Sequence, residues 1–366
     1  MGAVVFGFPS KDLIVIGVTG TSGKSTTVDF ISKILQEAGN KVASASTILF
    51  RVNDKEWENK YKMTMPGRFV IQKFLKQAKD AGCKYVVLEV TSEGIRQFRH
   101  KFINFDTVVF TNLSPEHIES HGSFENYRNE KLKLFKAVKN IHVVNRDDEN
   151  SKYFWDIPAK QKIGFSINDA KNIELNLNIM GDFNVLNALA AISVAKAYGI
   201  NFETCKKALE RIKGISGRME VVSESPVKII VDYAHTPEQL EAVYKSLNKN
   251  PMVCVLGSCG GGRDKWKRPV LGSIAKQYCR DIFITNEDPY DEDPLEIIDQ
   301  VAKTAGSNAK KVLDRKEAIK EAIKLAKPGD IVIITGKGSE PWMCIKDGKK
   351  VPWDDRKIAK ELLNKN

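Results

Sequence analysis

Leu13-Ile-Val-Ile-Gly17 runs straight into Gly17-Val-Thr-Gly-Thr-Ser-Gly-Lys-Ser-Thr-Thr27. The first run is short and wholly apolar, which reads as a buried strand. After the second, Ile31, Ile34, Leu35 and Ala38 recur at i, i+3, i+4 and i+7, which predicts a helix over 25–38 ended by Gly39. In the turn between them, glycines let backbone N–H groups approach phosphate oxygens, and the helix N-terminus adds positive dipole. Lys24 then reaches the β/γ-phosphates of a nucleotide, and the Ser25 hydroxyl becomes a ligand for Mg²⁺. Gly20, Thr21, Ser22, Gly23 and Thr26 complete the loop. Val18 stands where the general G-x-x-x-x-G-K-[ST] pattern has its first glycine.

Outward from this loop the same alternation continues. Residues 85–90, 105–111 and 141–145 read as buried strands, with helices over 69–81 and 181–199. Strands alternating with helices imply a doubly wound, mostly parallel sheet of the phosphate-loop ATPase type, whose ligands gather beyond the strands' carboxyl ends. Glycines at 213–217 mark a junction. A second series follows, with strands over 227–231, 252–256, 281–285 and 330–335. Its helices fall over 237–247, 268–278, 294–305 and 315–326. The expected architecture is α/β throughout: an ATP-binding domain over 1–214, then a smaller Rossmann-like α/β domain over 215–366.

Composition narrows the class. The chain has 366 residues, 42% hydrophobic and 28% charged, which fits two globular domains and not a disordered chain. No run approaches the ~20 apolar residues of a membrane span, and residues 1–10 carry no long apolar leader core. Six cysteines are scattered without C-x-x-C spacing. That predicts reduced thiols in the cytoplasm and neither a disulfide scaffold nor a zinc site. The net charge of +11 is spread without a Lys/Arg block, which favours a solvated surface and small anionic substrates over nucleic acid.

Further motifs follow in chain order: Glu89-Val-Thr-Ser92, Asn112-Leu-Ser-Pro-Glu-His117, Tyr127-Arg-Asn-Glu-Lys131-Leu-Lys-Leu-Phe135, Gly181-Asp-Phe-Asn184, Gly217-Arg-Met-Glu220, Asp232-Tyr-Ala-His-Thr-Pro237, the arginine- and lysine-rich Gly260 to Pro269 and Gly336-Lys-Gly-Ser-Glu340. Together with the loop, this set resembles the Mur ligases over nearly the whole chain from Leu13. It most resembles the branch that adds the third residue of the peptidoglycan peptide.

The resemblance implies an ATP-dependent amide ligase of cell-wall precursor synthesis. It activates a carboxylate as an acyl phosphate and joins it to an amino acid. It also implies roles. Glu89 ligates the first Mg²⁺ with Ser25, His117 a second, and Lys131 carries a carbamate. Carbamate formation requires a free amine and hence a depressed pKa. Lys24, Lys131, His117 and His235 form the catalytic set, with His235 at the acyl phosphate. Asn184 lies near the adenine, and Arg218 and Asp232 contact the nucleotide. Thr64, Pro66, Gln97 and Arg99 match positions that touch the muramyl-peptide substrate. Arg268, Glu287, Asp288, Tyr290 and Glu340 face the incoming amino acid, Arg268 holding its α-carboxylate. The partners are then small molecules, and the chain a monomer.

Two departures stand out. Mur ligases carry an N-terminal uridine-nucleotide domain ahead of the ATP loop, and here the loop arrives by Gly17–Gly23, leaving no room for one. Diaminopimelate-adding relatives have Asp-Asn-Pro-Arg where this chain has Glu287-Asp-Pro-Tyr290. Tyr290 cannot make the bidentate pair with a second carboxylate that an arginine makes. Three acids at Glu287, Asp288 and Glu340 favour a side-chain ammonium, so lysine or ornithine is expected over meso-diaminopimelate. Two alternatives stay open: a ligase of the folylpolyglutamate, poly-γ-glutamate or cyanophycin kind, and a non-catalytic nucleotide-binding partner subunit.

Overall fold

A computed structural model describes residues 2–61 and 63–364. Met1, Lys365 and Asn366, the outer ends of the two expected domains, and Lys62 lie outside the described residues. The chain divides into two compact units. The first is Met1–Pro115, His121–Asn178 and Asp182–Lys213; the second is Glu116–Ser120, Ile179–Gly181 and Gly214–Asn366. The main division lies between Lys213 and Gly214, and two short segments, one carrying His117, group with the second unit.

The first unit is built on an eight-stranded sheet. Its strands are β1 (Ile14–Thr19), β2 (Val42–Ala45), β3 (Leu49–Val52), β4 (Lys55–Glu58), β5 (Tyr85–Glu89), β6 (Phe105–Phe110), β7 (Ile141–Asn145) and β8 (Gln161–Phe165). Their order is β4-β3-β2-β5-β1-β6-β7-β8. From β2 to β8 neighbours are parallel, while β3 and β4 add an antiparallel edge. The runs read as strands are all present. β1, β5 and β7 are buried almost end to end, as strands covered on both faces must be. No element was expected over 40–62, where β2, β3 and β4 lie; β4 is exposed throughout and carries charges that suit an unpaired edge.

The helix after β1 spans Lys24–Glu37 and buries Ile31, Ile34 and Leu35. Ala38, expected on the same face, is its exposed C-cap. The pairing Val18↔Glu89 sets the end of β5 beside the start of the phosphate loop. That pairing also accounts for Val18: it is a fully buried strand residue, so the loop begins one turn later than in the longer pattern.

The second unit is built on a six-stranded sheet: β9 (Glu220–Ser223), β10 (Lys228–Val231), β11 (Met252–Leu256), β12 (Asp281–Thr285), β13 (Ala309–Val312) and β14 (Ile331–Ile334). Their order is β13-β12-β11-β14-β10-β9, parallel except for β9. Ile229, Val231, Val253, Val255, Phe283, Val332 and Ile334 form the centre of its core. A helix Asp355–Leu363 packs there through Ala359 and Leu362.

One expectation is overturned here. Cys254 and Cys279 form a disulfide between β11 and the end of the helix Lys267–Tyr278, with Cα atoms 6.0 Å apart. The two cysteines are 25 residues apart, outside any short motif, and only the packing of that helix on the sheet brings them together. Cys83, Cys205, Cys259 and Cys344 are free. Removing the cross-link with a reductant, or by Cys279→Ala, should lower the unfolding free energy by about 3 kcal/mol, the loop-closure value for a loop of this size. Denaturant melts with and without dithiothreitol measure it; identical midpoints would mean that the bond does not form in solution.

Candidate active site

The phosphate loop is locked from two sides. Gly20 has φ 154° and Gly23 φ 78°; a Cβ on Gly20 would lie 1.9 Å from Thr111 Oγ1, and one on Gly23 2.2 Å from Asn187 Oδ1. Only glycine permits that approach. Thr111 Oγ1 donates to the Ser22 carbonyl at 2.7 Å, and Ser22 N–H to Asn112 Oδ1 at 2.8 Å. Thr21 Oγ1 lies 3.1 Å from the Tyr127 hydroxyl and accepts from Ser114 N–H. On the other side, Asn187 donates to Asn184 Oδ1 at 3.1 Å and accepts from Thr27 Oγ1 at 3.3 Å. Asn184 is therefore joined to the loop through a neighbouring amide. Thr26 is buried in the first turn of the helix behind it.

Lys24, Ser25, Glu89 and Lys131 come together here. Ser25 Oγ donates to Glu89 Oε2 at 2.7 Å, Thr47 N–H to the same oxygen at 2.8 Å, and Thr47 Oγ1 to Oε1 at 3.0 Å. Lys24 Nζ donates to the Thr21 carbonyl at 2.7 Å and lies 3.9 Å from Glu89 Oε1. Among the described residues, no cluster of three His, Cys, Asp or Glu side chains gathers to cage a metal. A buried carboxylate bonded to a hydroxyl is instead the oxygen-only set that Mg²⁺ takes when phosphates supply its other ligands. Ser25 and Glu89 fit that ion.

Lys131 is fully buried, donates from Nζ to the Gly20 carbonyl at 2.8 Å, and lies 4.5 Å from the centre of the Tyr127 ring. Burial first, then the charge of Lys24, drives its pKa well below the ordinary lysine value; Glu89 opposes them. Lys133 and Lys136 on the same helix are exposed.

The residues expected at the muramyl-peptide substrate are tied to this cluster. Thr64 Oγ1 lies 2.7 Å from Thr47 Oγ1, itself bonded to Glu89. Arg99 binds the Met65 carbonyl and Gln97 Oε1, bracing the segment that ends in Pro66. Thr64 and Pro66 line one wall of a mainly apolar cavity closed by Phe50, Phe74, Leu88 and Glu89.

His117 lies in the segment grouped with the second unit. Its φ is 57°, and its Nδ1 lies 3.2 Å from Arg263 Nη1. An arginine only donates, so Nδ1 accepts that hydrogen bond. The segment is anchored by the buried pair Glu116–Lys267 at 3.1 Å.

In the second unit Asp232 accepts from Met219 N–H and Ala234 N–H, each at 2.7 Å, and Arg218 lies over the Tyr233 ring at 4.2 Å. His235 Nδ1 is 2.8 Å from the Tyr233 carbonyl. A carbonyl only accepts, so Nδ1 carries the proton and Nε2 keeps its lone pair. Burial and then the charges of Lys267, Arg263 and Arg218 hold this imidazole well below its usual pKa, hence neutral at pH 7.

Two features change the reading of the amino-acid residues. Lys337 Nζ lies 2.8 Å from Asp288 Oδ2 and also pairs with Glu340, so two of the three acids share a cation. The surplus of negative charge expected there is much reduced. The buried guanidinium of Arg268 also has partners of its own: Glu292 at 2.9 Å, Gln300 at 2.8 Å and the Cys259 carbonyl at 3.1 Å. Glu287 is buried against the Cys259 thiol at 3.1 Å, and Tyr290 stands at φ 52° beside Gly261. Thr47, Tyr127 and Lys337 were not singled out from the sequence. Lys337 lay inside the quoted Gly-Lys-Gly-Ser-Glu motif, whereas nothing local marked Thr47.

Comparison with known proteins decides the family. The Mur ligase middle domain matches residues 18–174, and the Mur ligase glutamate ligase domain matches residues 217–338. The chain belongs to the Mur ligase family. A UDP-N-acetylmuramoyl-L-alanyl-D-glutamate–2,6-diaminopimelate ligase of Syntrophomonas wolfei is 37% identical, over 99% of this chain and 81% of its own. A solved structure of a ligase of that name is 27% identical with TM-score 0.63, covering 96% of this chain and 78% of the other. A bifunctional folylpolyglutamate synthase/dihydrofolate synthase from Yersinia pestis, solved with AMPPNP and Mn ion, is 20% identical with TM-score 0.72. It covers 91% of this chain and 88% of its own, a likeness of fold alone. This Mur ligase is thus an ATP-dependent, ADP-forming enzyme that makes an amide bond. Among the described residues it has no helix long and apolar enough to cross a membrane.

Lys24→Ala should lower ATP turnover at least ~100-fold, as loss of a charge-stabilising donor does, with the melting midpoint within a few degrees of the parent. Thr47→Ala should raise the Mg²⁺ concentration needed for half-maximal rate about tenfold while leaving the ATP KM near its parent value. Phosphate-release kinetics and calorimetry read both; an unchanged Mg²⁺ dependence would remove Thr47 from the metal site.

Proposed function

We propose that this Mur ligase adds a diamino acid to a muramyl-peptide cell-wall precursor through an acyl phosphate. The observation that carries the reading is the Lys24–Ser25–Glu89–Lys131 cluster at the carboxyl ends of β1 and β5, tied through Thr47 to Thr64 of the expected precursor site.

In the first step a carboxylate oxygen of the precursor attacks the γ-phosphorus of ATP and ADP departs. Lys24 and the loop's N–H groups meet the charge that spreads over the transferring phosphoryl oxygens. Ser25 and Glu89 would hold a divalent ion, whose charge would add to that neutralisation. In the second step the amine of the amino acid attacks the acyl carbon and inorganic phosphate departs. The amine must first lose a proton, and the neutral His235, with Nε2 unprotonated, is chemically able to accept one.

Lys131 is proposed to be carbamylated: its neutral Nζ adds to CO₂ and releases a proton, leaving an anionic oxygen pair in place of a buried amine. The depressed pKa supports this, because a charged ammonium has no lone pair to add. Two carboxylate-like groups, Glu89 and the carbamate, would then face the phosphates.

The amino acid proposed is diaminopimelate. The 37%-identical relative is named for it, and pairing of Asp288 and Glu340 with Lys337 removes much of the like-charge penalty that a second carboxylate would meet. Lysine is the second reading, favoured by Tyr290 in the arginine's place.

Lys131→Ala should abolish synthesis, with partial recovery in millimolar-scale bicarbonate or formate; full activity without additive would end the carbamate reading. Competition between meso-diaminopimelate and L-lysine at equal concentration should yield mainly the diaminopimelate product. A lysine product would return the choice to Tyr290, and Tyr290→Arg would then be expected to reverse it.

A further inference from the structure

The amino-acid residues lie on two loops that leave the carboxyl ends of β12 and β14, strands separated in the sheet by β11. Loops from non-adjacent strands have no ladder between them, so something else must fix their spacing. The first carries Asn286 to Tyr290 and the second Gly336 to Glu340.

Arg315 opens the helix Arg315–Leu325 just after β13, and its side chain is fully buried. Its Nη2 donates to the Thr335 carbonyl at 2.7 Å, where β14 gives way to the second loop. Its Nη1 donates to the Asn286 carbonyl at 3.4 Å, where β12 gives way to the first. The remaining edge of the fork is held by Asp355 of the C-terminal helix, with Nε to Oδ1 at 2.9 Å and Nη2 to Oδ2 at 2.8 Å. Asp355 Oδ1 also accepts from Trp353 Nε1 at 2.8 Å. Neither charge reaches solvent.

We propose that Arg315, oriented by Asp355, is a positioning residue that sets, together with the Lys337–Asp288 pair between them, the spacing of the two amino-acid loops, and so the enzyme's affinity for the incoming amino acid. This rests on the reading of those loops as the amino-acid pocket. The planar fork matters because it serves a carboxylate and two carbonyls at fixed angles, which a single ammonium cannot do. A buried ion pair adds little net stability over an apolar filling of the same volume, so its use here is better explained by the geometry it imposes. The same charge acts on Glu287 and Asp288, the first acids of the pocket.

The test combines hydrogen exchange with steady-state kinetics on Arg315→Lys and, should that variant fold poorly, on Asp355→Asn. Expected are exchange at 286–290 and 336–340 at least about tenfold faster with β11 amides still protected, and a KM for the amino acid raised about tenfold with the ATP KM within about twofold. Parent-like exchange in both loops of the folded variant would overturn the proposal. So would a loss of protection across the whole unit with both KM values rising together, the mark of a merely structural residue. Loosened loops with an unmoved amino-acid KM would overturn it differently: the brace would be real and the pocket assignment wrong.

Discussion

The carboxylate of Glu89 is the point through which the catalytic half of this ligase is organised. It ends a strand at the centre of the sheet and takes hydrogen bonds from the first turn of the phosphate-loop helix and from the turn between β2 and β3. A buried carboxylate requires such donors, because its desolvation is large and must be offset locally. Meeting that requirement pulls Ser25, Thr47 and, through Thr47, Thr64 into one cluster. The neighbouring Lys131 is placed differently: burial and the charge of Lys24 push its pKa down, and its amine donates to the Gly20 carbonyl beside the Tyr127 ring. A buried carboxylate and a buried amine thus sit on opposite sides of one phosphate loop, each bonded to it.

Most of the frame could be read from the chain because its strands are continuous apolar runs set between helical periods, the pattern of parallel strands buried on both faces. The same reasoning passed over β2, β3 and β4. Val42-Ala-Ser-Ala45 is short and made of small residues, and Lys55-Glu-Trp-Glu58 is a charged edge whose pairing depends on β3 alone. Lys24, Ser25 and Glu89 were legible because each sits next to a strand end in sequence. Lys337 was not, since its partner Asp288 is 49 residues away and reaches it only when the loops of β12 and β14 face each other. The disulfide escaped for the same reason, as did the pair Arg315–Asp355, 40 residues apart and invisible to any local pattern.

The two units handle charge differently. Around the phosphate loop, polar side chains point at backbone groups and leave Lys24 partly accessible, 15% exposed, as a group that must meet phosphate should be. In the second unit the charges are buried in pairs: Lys267 with Glu116, Arg268 with Glu292, Arg315 with Asp355, and Lys337 with Asp288. Paired burial makes the loops stiff and their electrostatics nearly closed. Specificity there depends less on surplus charge than on which pairs a substrate can enter without breaking.

β1 lies at the middle of its sheet, yet Ile14 pairs with Tyr85 and Val15 with Phe105, partners about 70 and 90 residues further along the chain. Such non-local pairing closes large loops before any contact compensates their entropy, so the sheet should assemble slowly. Of this sheet's strands the phosphate-loop strand is made first, and it must wait for a first partner until the chain has passed Glu89 and for its second until Phe110. The segment that defines the enzyme's chemistry is thus also the one most exposed to misassociation on the ribosome, and a natural client for chaperones that shield apolar strands.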